Sequence, residues 1–165
     1  MFFYPKGYFN KVSEISIEYL KANNINGLIL DVDNTLIDYY RNISEETINW
    51  ANNLKNNGIK MYILSNSNKK DKVKEVAGKL GLEYSYFGMK PLKRGFKKAK
   101  KELNLQNNEI AAIGDQIFTD VIGANRMKMF SILVDPIKEK DILITLIKRP
   151  IENYIKKKYI EDVKK

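Results

Sequence analysis

Gly27-Leu28-Ile29-Leu30-Asp31-Val32-Asp33-Asn34-Thr35 is an apolar run that ends in two acids separated by a single residue. A strand with one wet face alternates apolar and polar residues, whereas a strand covered on both faces stays apolar along its length, as Leu28 to Leu30 does. The same grammar recurs downstream. Lys60-Met61-Tyr62-Ile63-Leu64 runs into Ser65, Tyr84 to Phe87 forms a short third run, Ile110 to Gly114 runs into Asp115, and Phe130 to Val134 is the fifth.

Between these runs the apolar spacing becomes helical. Ser44 before Glu45 and Glu46 reads as an N-cap with acids in the first turn, and Ile48, Ala51 and Leu54 mark the inward face of a helix that stops at Gly58. Val73, Val76, Ala77 and Leu80 fall at i, i+3, i+4 and i+7 before Gly81. Leu92, Phe96, Ala99 and Leu103 repeat the pattern on a segment whose other face is Lys93, Arg94, Lys97, Lys98, Lys100 and Lys101, and a further helix is expected from about Thr119 to Met127. Strands alternating with helices predict an α/β fold: a three-layer, Rossmann-like sandwich around a parallel five-stranded sheet. The four prolines, Pro5, Pro91, Pro136 and Pro150, are expected at element boundaries.

The chain has 165 residues and 19.2 kDa, 44% hydrophobic and 30% charged, with no internal repeat or low-complexity linker. That length and composition predict one domain over residues 1–165, with a motif-bearing core at about 25–135 and a C-terminal helical extension at about 137–165. The chain contains neither His nor Cys. Their absence excludes Ser-His-Asp and Cys-His nucleophiles, His zinc sites, iron–sulfur clusters and disulfides, so any catalysis must run on Asp, Glu, Lys, Ser, Thr or Tyr. The longest apolar runs, such as Gly27 to Val32 and Ile142 to Ile147, fall far short of the ~20 residues that span a bilayer. The start, Met1-Phe2-Phe3-Tyr4-Pro5-Lys6, lacks the pattern of a secretory leader, and the expectation is a cytoplasmic protein. A net charge of +9 favours an anionic partner, which could be nucleic acid, a phosphorylated substrate or an acidic membrane; a Lys-rich composition accounts for the same charge without any partner.

In parallel sheets of this kind ligands bind beyond the carboxyl ends of the strands. Asp31, Asp33 and Thr35 follow the first apolar run, Ser65 and Asn66 the second, Lys90 the third, and Asp115 and Asp120 the fourth, so all should converge on one edge. Carboxylates gathered there repel one another unless a cation lies among them, and hard oxygen donors without His or Cys point to Mg²⁺. Ser65, Asn66 and Lys90 add donors and a positive charge suited to phosphate oxygens. Taken singly, each has a plainer reading: Asp33, Asn34 and Thr35 as turn residues, Ser65 as a helix cap, and Asp120 as an acid at a helix start.

The ordered set Leu30-Asp31-Val32-Asp33-Asn34-Thr35-Leu36, Leu64-Ser65-Asn66-Ser67, Met89-Lys90-Pro91 and Gly114-Asp115-Gln116-Ile117-Phe118-Thr119-Asp120 resembles the haloacid dehalogenase (HAD) superfamily phosphatases. The Gly-Asp-Gln-x-x-Thr-Asp form of the last motif and the small size are similar to the YqeG-type subgroup of class IIIA, which is related to phosphatidylglycerophosphate phosphatases. The resemblance implies Asp31 as the nucleophile that becomes an aspartyl phosphate, and Asp33 as general acid and then base. It implies Mg²⁺ held by the Asp31 carboxylate, the Asp33 backbone carbonyl and Asp115. Ser65, Asn66 and Lys90 would bind phosphate, and Thr35 and Asp120 would support them, with Asp120 orienting Lys90 or the metal's water shell.

Members of this superfamily usually select small substrates with an inserted cap domain. Here the interval from Asn34 to Leu64 has room for one helix and a strand, and that from Asn66 to Met89 for one helix and a short strand, so the chain reads as capless. An open site suits a large or membrane-borne phosphate, phosphatidylglycerophosphate first, with phosphorylated nucleic-acid ends or phosphoproteins as the alternative and a non-catalytic scaffold as a further one. The basic segment from Lys90 to Lys101 could steer a polyanion, lie on anionic lipid or be merely solvated. Ile151, Tyr154, Ile155 and Tyr159 beside Lys156 to Lys158 form an amphipathic stripe that could rest at a membrane or pack on its own domain. Tyr4, Tyr8, Phe9, Val12 and Ile15 carry the same two readings. Nucleic-acid binding rests on charge alone. A response-regulator receiver is disfavoured because Gly88-Met89-Lys90 supplies no acceptor Asp after the third strand, and neither a P-loop nor a Gly-x-Gly-x-x-Gly turn occurs.

Overall fold

The computed structural model describes residues 2–137 and 143–163. Six strands, β1 (Gly7–Phe9), β2 (Gly27–Leu30), β3 (Lys60–Leu64), β4 (Glu83–Ser85), β5 (Ile110–Gly114) and β6 (Phe130–Val134), form one sheet in the order β1-β6-β5-β2-β3-β4. Every pairing is parallel. The sequence reading of a parallel α/β sandwich holds, but the sheet has six strands rather than five. The additional strand, β1, is only three residues long and pairs along one edge with β6, Gly7 opposite Ile132 and Phe9 opposite Val134. A three-residue edge strand carrying a glycine shows no apolar run to read.

Adjacent residues of a strand point to opposite faces, and the core divides accordingly. Leu28 and Leu30 of β2 face α1 (Ile17–Ala22), α2 (Glu45–Asn56) and α3 (Lys70–Leu80), in a cluster that includes Leu20, Leu54 and Val76. Ile29, between them, faces α4 (Lys93–Leu103) and α5 (Ile122–Arg126), meeting Phe96, Ala99 and Ala124. A smaller group of Ile117, Val121 and Leu133 packs with Tyr8 and with Ile155 of α6 (Leu143–Val163).

The caps follow the sequence. The Ser44 hydroxyl accepts the Thr47 amide at the start of α2, and Gly81 ends α3 in the left-handed conformation at φ 64°. α2 also buries Trp50, whose indole N–H donates to the Ile15 carbonyl at 2.9 Å and fastens the N-terminal segment to the core. Val12 and Ile15 are buried, Phe9 stacks edge-on against Tyr19, and Tyr8 donates to Asp135, so this segment anchors on its own domain. Leu92 differs from its expected inward place. It is the exposed N-cap of α4, and Gly95 and Phe96 take the buried positions of that first turn.

α6 departs further from expectation. Pro150 lies inside the helix rather than at a boundary, whereas Pro5, Pro91 and Pro136 do flank β1, α4 and β6. The helix presents Glu152, Ile155, Lys156 and Tyr159 toward the domain and leaves Ile151 and Tyr154 exposed, so only half of the anticipated stripe packs. Residues 138–142 and 164–165 of the expected extension, including the start of the Ile142–Ile147 run, lie outside the described residues. No helix among the described residues is long and apolar enough to cross a membrane.

Between Asn34 and Leu64 lie α2 and β3, and between Asn66 and Met89 lie α3 and β4. These are layers of the sandwich itself, and among the described residues no inserted domain lies over the carboxyl edge of the sheet.

Candidate active site

β2 and β5 are neighbours with Leu30 opposite Ile113, so the residues just beyond them, Asp31 and Asp115, emerge side by side. Asp120 is brought back to the same point by an unusually wide turn. Ile117–Val121 form a π-type turn in which the Val121 amide reaches the Gln116 carbonyl, ahead of the regular helix α5. A Cβ on Gly114 would sit 2.1 Å from the Asp120 carboxyl carbon, so only glycine lets that acid fold under the strand end. The helix expected from Thr119 therefore begins two residues earlier and in a wider form.

Asp31, Asp115 and Asp120 are all buried, and one carboxylate oxygen from each lies within 4.8 Å of the others. Three carboxylates at that spacing need positive charge. Lys90 supplies the first part, its Nζ donating to Asp31 Oδ1 at 2.6 Å and to Asp120 Oδ1 at 2.7 Å. Burial alone would lower the Lys90 pKa, but Asp120 and Asp31 outweigh it and raise the ammonium above its ordinary value. The remaining Asp120 oxygen accepts the Gln116 amide and the Thr119 hydroxyl.

Thr35 joins two of the acids, its hydroxyl 3.2 Å from Asp31 Oδ2 and 3.5 Å from Asp115 Oδ1. Burial pushes the Asp31 carboxyl up to about 6, with Asp120 and Asp33 acting in the same direction and Lys90 opposing them. Burial and the neighbouring Asp31 likewise hold the Asp115 carboxyl well above the usual carboxylate range, against the pull of Arg149. A divalent cation among these oxygens would reverse that repulsion. The donor set fits Mg²⁺: buried, hard carboxylate oxygens, in a chain with no His or Cys to favour a softer metal.

Asp33 stands apart from the triad. Its carboxylate is half exposed and paired with Lys72 of α3 at 2.6 Å. Ser65, at the end of β3, is fully buried, and its hydroxyl oxygen accepts the Ser67 amide. Asn66 sits differently from the phosphate donor expected of it. Both ends of its carboxamide are engaged by the Lys90 backbone, with Oδ1 accepting the amide at 2.6 Å and Nδ2 donating to the carbonyl at 3.0 Å. In this geometry Asn66 fixes the loop that delivers Lys90.

Three further charged residues that the sequence pattern does not mark join the site. Lys72 is one of several lysines at the start of α3, and nothing in its spacing marks it. Arg149 of α6 donates from Nη1 to the Asp115 backbone carbonyl at 3.0 Å and pairs through Nη2 with Asp115 Oδ2. Glu152, one helical turn on, is buried, accepts the Phe118 amide at 2.9 Å, and lies 3.5 Å from Arg149. Burial raises the Glu152 carboxyl above its ordinary value, with the Phe118 amide and Arg149 opposing. The available signal was rarity: Arg149 is one of four arginines in a chain dominated by lysine.

Comparison with known proteins bears on the family and the fold. The family model for haloacid dehalogenase-like hydrolases matches residues 41–128, a span that contains Ser65, Lys90, Asp115 and Asp120. The chain is 37% identical over 155 residues to the probable phosphatase YqeG of Bacillus subtilis (strain 168), covering 93% of this chain and 90% of that protein. Among solved structures, an uncharacterised protein from Listeria monocytogenes serotype 4b superposes with a TM-score of 0.58 at 20% identity, covering 72% of this chain and 85% of that one. An HAD phosphatase from Thermococcus onnurineus gives a TM-score of 0.52 at 21% identity, over 61% of this chain and 49% of that one. These two structural likenesses bear on the fold.

Proposed function

Since the chain belongs to the haloacid dehalogenase-like hydrolases and is a phosphatase, we propose that it hydrolyses a phosphomonoester in a Mg²⁺-dependent reaction through an aspartyl phosphate on Asp31. The observation that carries this reading is the single ammonium of Lys90 lodged between Asp31 and Asp120, in a buried cluster with Asp115. Even with Arg149 paired to Asp115, three buried carboxylates meet two side-chain cations. An excess of buried carboxylate at a sheet's carboxyl edge is an arrangement for cation and phosphate.

In the first step a carboxylate oxygen of Asp31 forms a bond to phosphorus as the ester P–O bond breaks. Asp33 hands a proton to the departing oxygen. In the second step water attacks the same phosphorus, Asp33 takes the water's proton, and the Asp31 carboxylate leaves, releasing inorganic phosphate. Lys90 and Ser65 hold the equatorial oxygens, where charge is spread in the transition state. Thr35 keeps Asp31 and Asp115 in register, and Lys72 holds the Asp33 carboxylate. A Mg²⁺ held by Asp31, Asp115 and the Asp33 backbone carbonyl would supply charge neutralisation and polarisation of the phosphoryl group.

Phosphatidylglycerophosphate, or another large or membrane-borne phosphate, is the substrate that the surroundings of the site favour. The edge is open, and exposed Tyr39, Tyr40, Tyr86, Phe87 and Leu92 stand on loops that follow β2 and β4 at that edge. Beside them the outer face of α4 exposes Lys93, Arg94, Lys97, Lys98 and Lys101. Apolar tips flanked by cations suit a cytoplasmic protein seated peripherally on an anionic membrane surface.

The test is phosphate release by purified protein with Mg²⁺ from phosphatidylglycerophosphate in mixed micelles, beside p-nitrophenyl phosphate and a 3′-phosphorylated oligonucleotide, with Asp31→Asn as control. Lipid turnover well above the other two, lost in the variant and on chelation, is the expected result. Turnover of p-nitrophenyl phosphate alone would keep the chemistry and overturn the substrate. Preference for the oligonucleotide would move the substrate to nucleic-acid ends. No Asp31-dependent turnover of anything would leave a scaffold that has kept the fold.

A further inference from the structure

The cluster at the sheet edge contains two positive side chains from opposite ends of the chain's second half. Lys90 serves Asp31 and Asp120, while Asp115 is served by Arg149 of the C-terminal helix. The contact is two-pointed. One guanidinium nitrogen meets the carboxylate of Asp115 and another its backbone carbonyl, so the arginine fixes both the position of the residue and the rotation of its side chain. With Oδ2 taken up by Arg149, Oδ1 is the oxygen turned toward Thr35 and Asp31. Glu152 closes the arrangement: it lies 3.5 Å from Arg149 and accepts the Phe118 amide, so helix α6 grips the Asp115 loop at two places three residues apart.

We propose that Arg149, steered by Glu152, is a positioning residue for Asp115, and that the C-terminal helix is thereby a working wall of the active site. Its task is to keep one carboxylate oxygen of Asp115 committed to the guanidinium and the other presented to the cation site. Lysine would keep the charge but not the planar two-point hold. Only the kinetic part of this inference rests on the phosphatase reading; the part that concerns cation binding does not.

Electrostatics alone and positioning predict opposite signs. Removing a positive charge beside three carboxylates would tighten divalent binding if charge were all that mattered, whereas loss of an outer-shell partner that orients a ligand weakens it, by about 10- to 100-fold in metal sites generally. The experiment is calorimetric titration of Mg²⁺ into the full-length protein without substrate, for wild type, Arg149→Gln, Arg149→Lys and Glu152→Gln, with a thermal melt of each. The expected result is weaker Mg²⁺ binding in Arg149→Gln by about tenfold or more, smaller losses in Arg149→Lys and Glu152→Gln, and a matching fall in kcat for p-nitrophenyl phosphate with KM little changed. Mg²⁺ binding in Arg149→Gln as tight as wild type, or tighter, overturns the proposal. Should Arg149→Gln fail to fold, Arg149→Lys decides alone: a folded protein with unaltered Mg²⁺ affinity and kcat overturns it equally. A wild type that binds Mg²⁺ and hydrolyses nothing, with binding weakened in the arginine variants, would sink the phosphatase reading and leave this inference standing.

Discussion

Helices α4 and α6 both flank the catalytic edge, each associated with one cation of the site, and they are held to the sheet by opposite means. α4 buries Phe96, Ala99 and Leu103, and Phe96 packs so closely on α5 that a Cβ on Gly123 would come within 2.3 Å of its ring. Lys90 enters the site three residues before this helix begins. α6 buries Glu152, half-buries Ile155, Lys156 and Tyr159, and is tied by Arg149 to Asp115 and by Lys156 to Asp135. Apolar packing is non-directional and tolerates small shifts, whereas buried ion pairs fix orientation at a cost in desolvation. The first kind of attachment supports a site; the second kind makes the helix sensitive to what the site holds.

The comparison breaks most severely at Phe96. Phe96→Ala removes a fully buried ring and leaves a cavity among Ile29, Ala99 and Ala124, and should destabilise the protein by about 3–5 kcal/mol, read as a shifted midpoint in chemical denaturation. A cost below about 1 kcal/mol would mean that α4 is held by something other than its apolar face.

The acids between the two helices give the next largest effect, as a function of pH. Asp31 is pushed up to about 6 in the folded chain from an ordinary value of 3.8, so between those pH values the folded protein keeps a proton that the unfolded chain releases. This group's contribution to stability therefore falls as pH rises through that window, by on the order of 2–3 kcal/mol, and Asp115 acts in the same direction. Thermal midpoints in the presence of chelator, from pH 4 to 6.5, should fall more steeply for wild type than for Asp31→Asn. Parallel slopes would show that Asp31 ionises in the folded chain as it does in water.

The same contrast explains what could be read from the sequence. Strands β2, β3, β5 and β6, the α3 spacing and the inward face of α4 declare themselves because apolar side chains at a fixed period have one explanation, burial. The acids are legible because they follow apolar runs directly, and the topology of a parallel sheet brings such positions together. Strands β1 and β4, of three residues each, are too short to carry a period. Arg149, Glu152 and Lys72 are invisible for a physical reason: a charged residue on a helix ordinarily faces water, and the partner that makes it otherwise, Asp115, the Phe118 amide or Asp33, lies more than thirty residues away in sequence. Of the α6 stripe, Ile151 and Tyr154 are exposed, and the face that docks is partly ionic, which apolar spacing does not reveal.

Glu152 sharpens the comparison at smaller scale. Glu152→Ala would leave the Phe118 amide without its buried acceptor and Arg149 without its neighbour, at about 1–3 kcal/mol. If α6 is held as described, the loss is local. Hydrogen exchange should rise through α6 and the Phe118 amide while α4 stays protected. A uniform rise in both helices would mean that they form one cooperative unit and that the distinction between their attachments has no energetic content.

The smallest effect is expected where the sequence pattern would place a large one. Ile151 and Tyr154 are the most regular apolar members of the α6 stripe, yet both are exposed, so replacing both with serine should change stability by no more than about 0.5 kcal/mol and leave hydrolysis of p-nitrophenyl phosphate unchanged. The double variant separates two ways in which a helix can be amphipathic. If it unfolds the protein or costs more than about 1 kcal/mol, α6 docks through its apolar stripe in solution and the ionic latch on Asp115 is secondary. If stability holds but binding to anionic vesicles falls, those two side chains belong to the membrane-facing surface together with the aromatic rim of the site. Helix α6 would then carry a polar face turned inward to the catalytic acids and an apolar face turned outward to lipid, the reverse of the arrangement that holds α4.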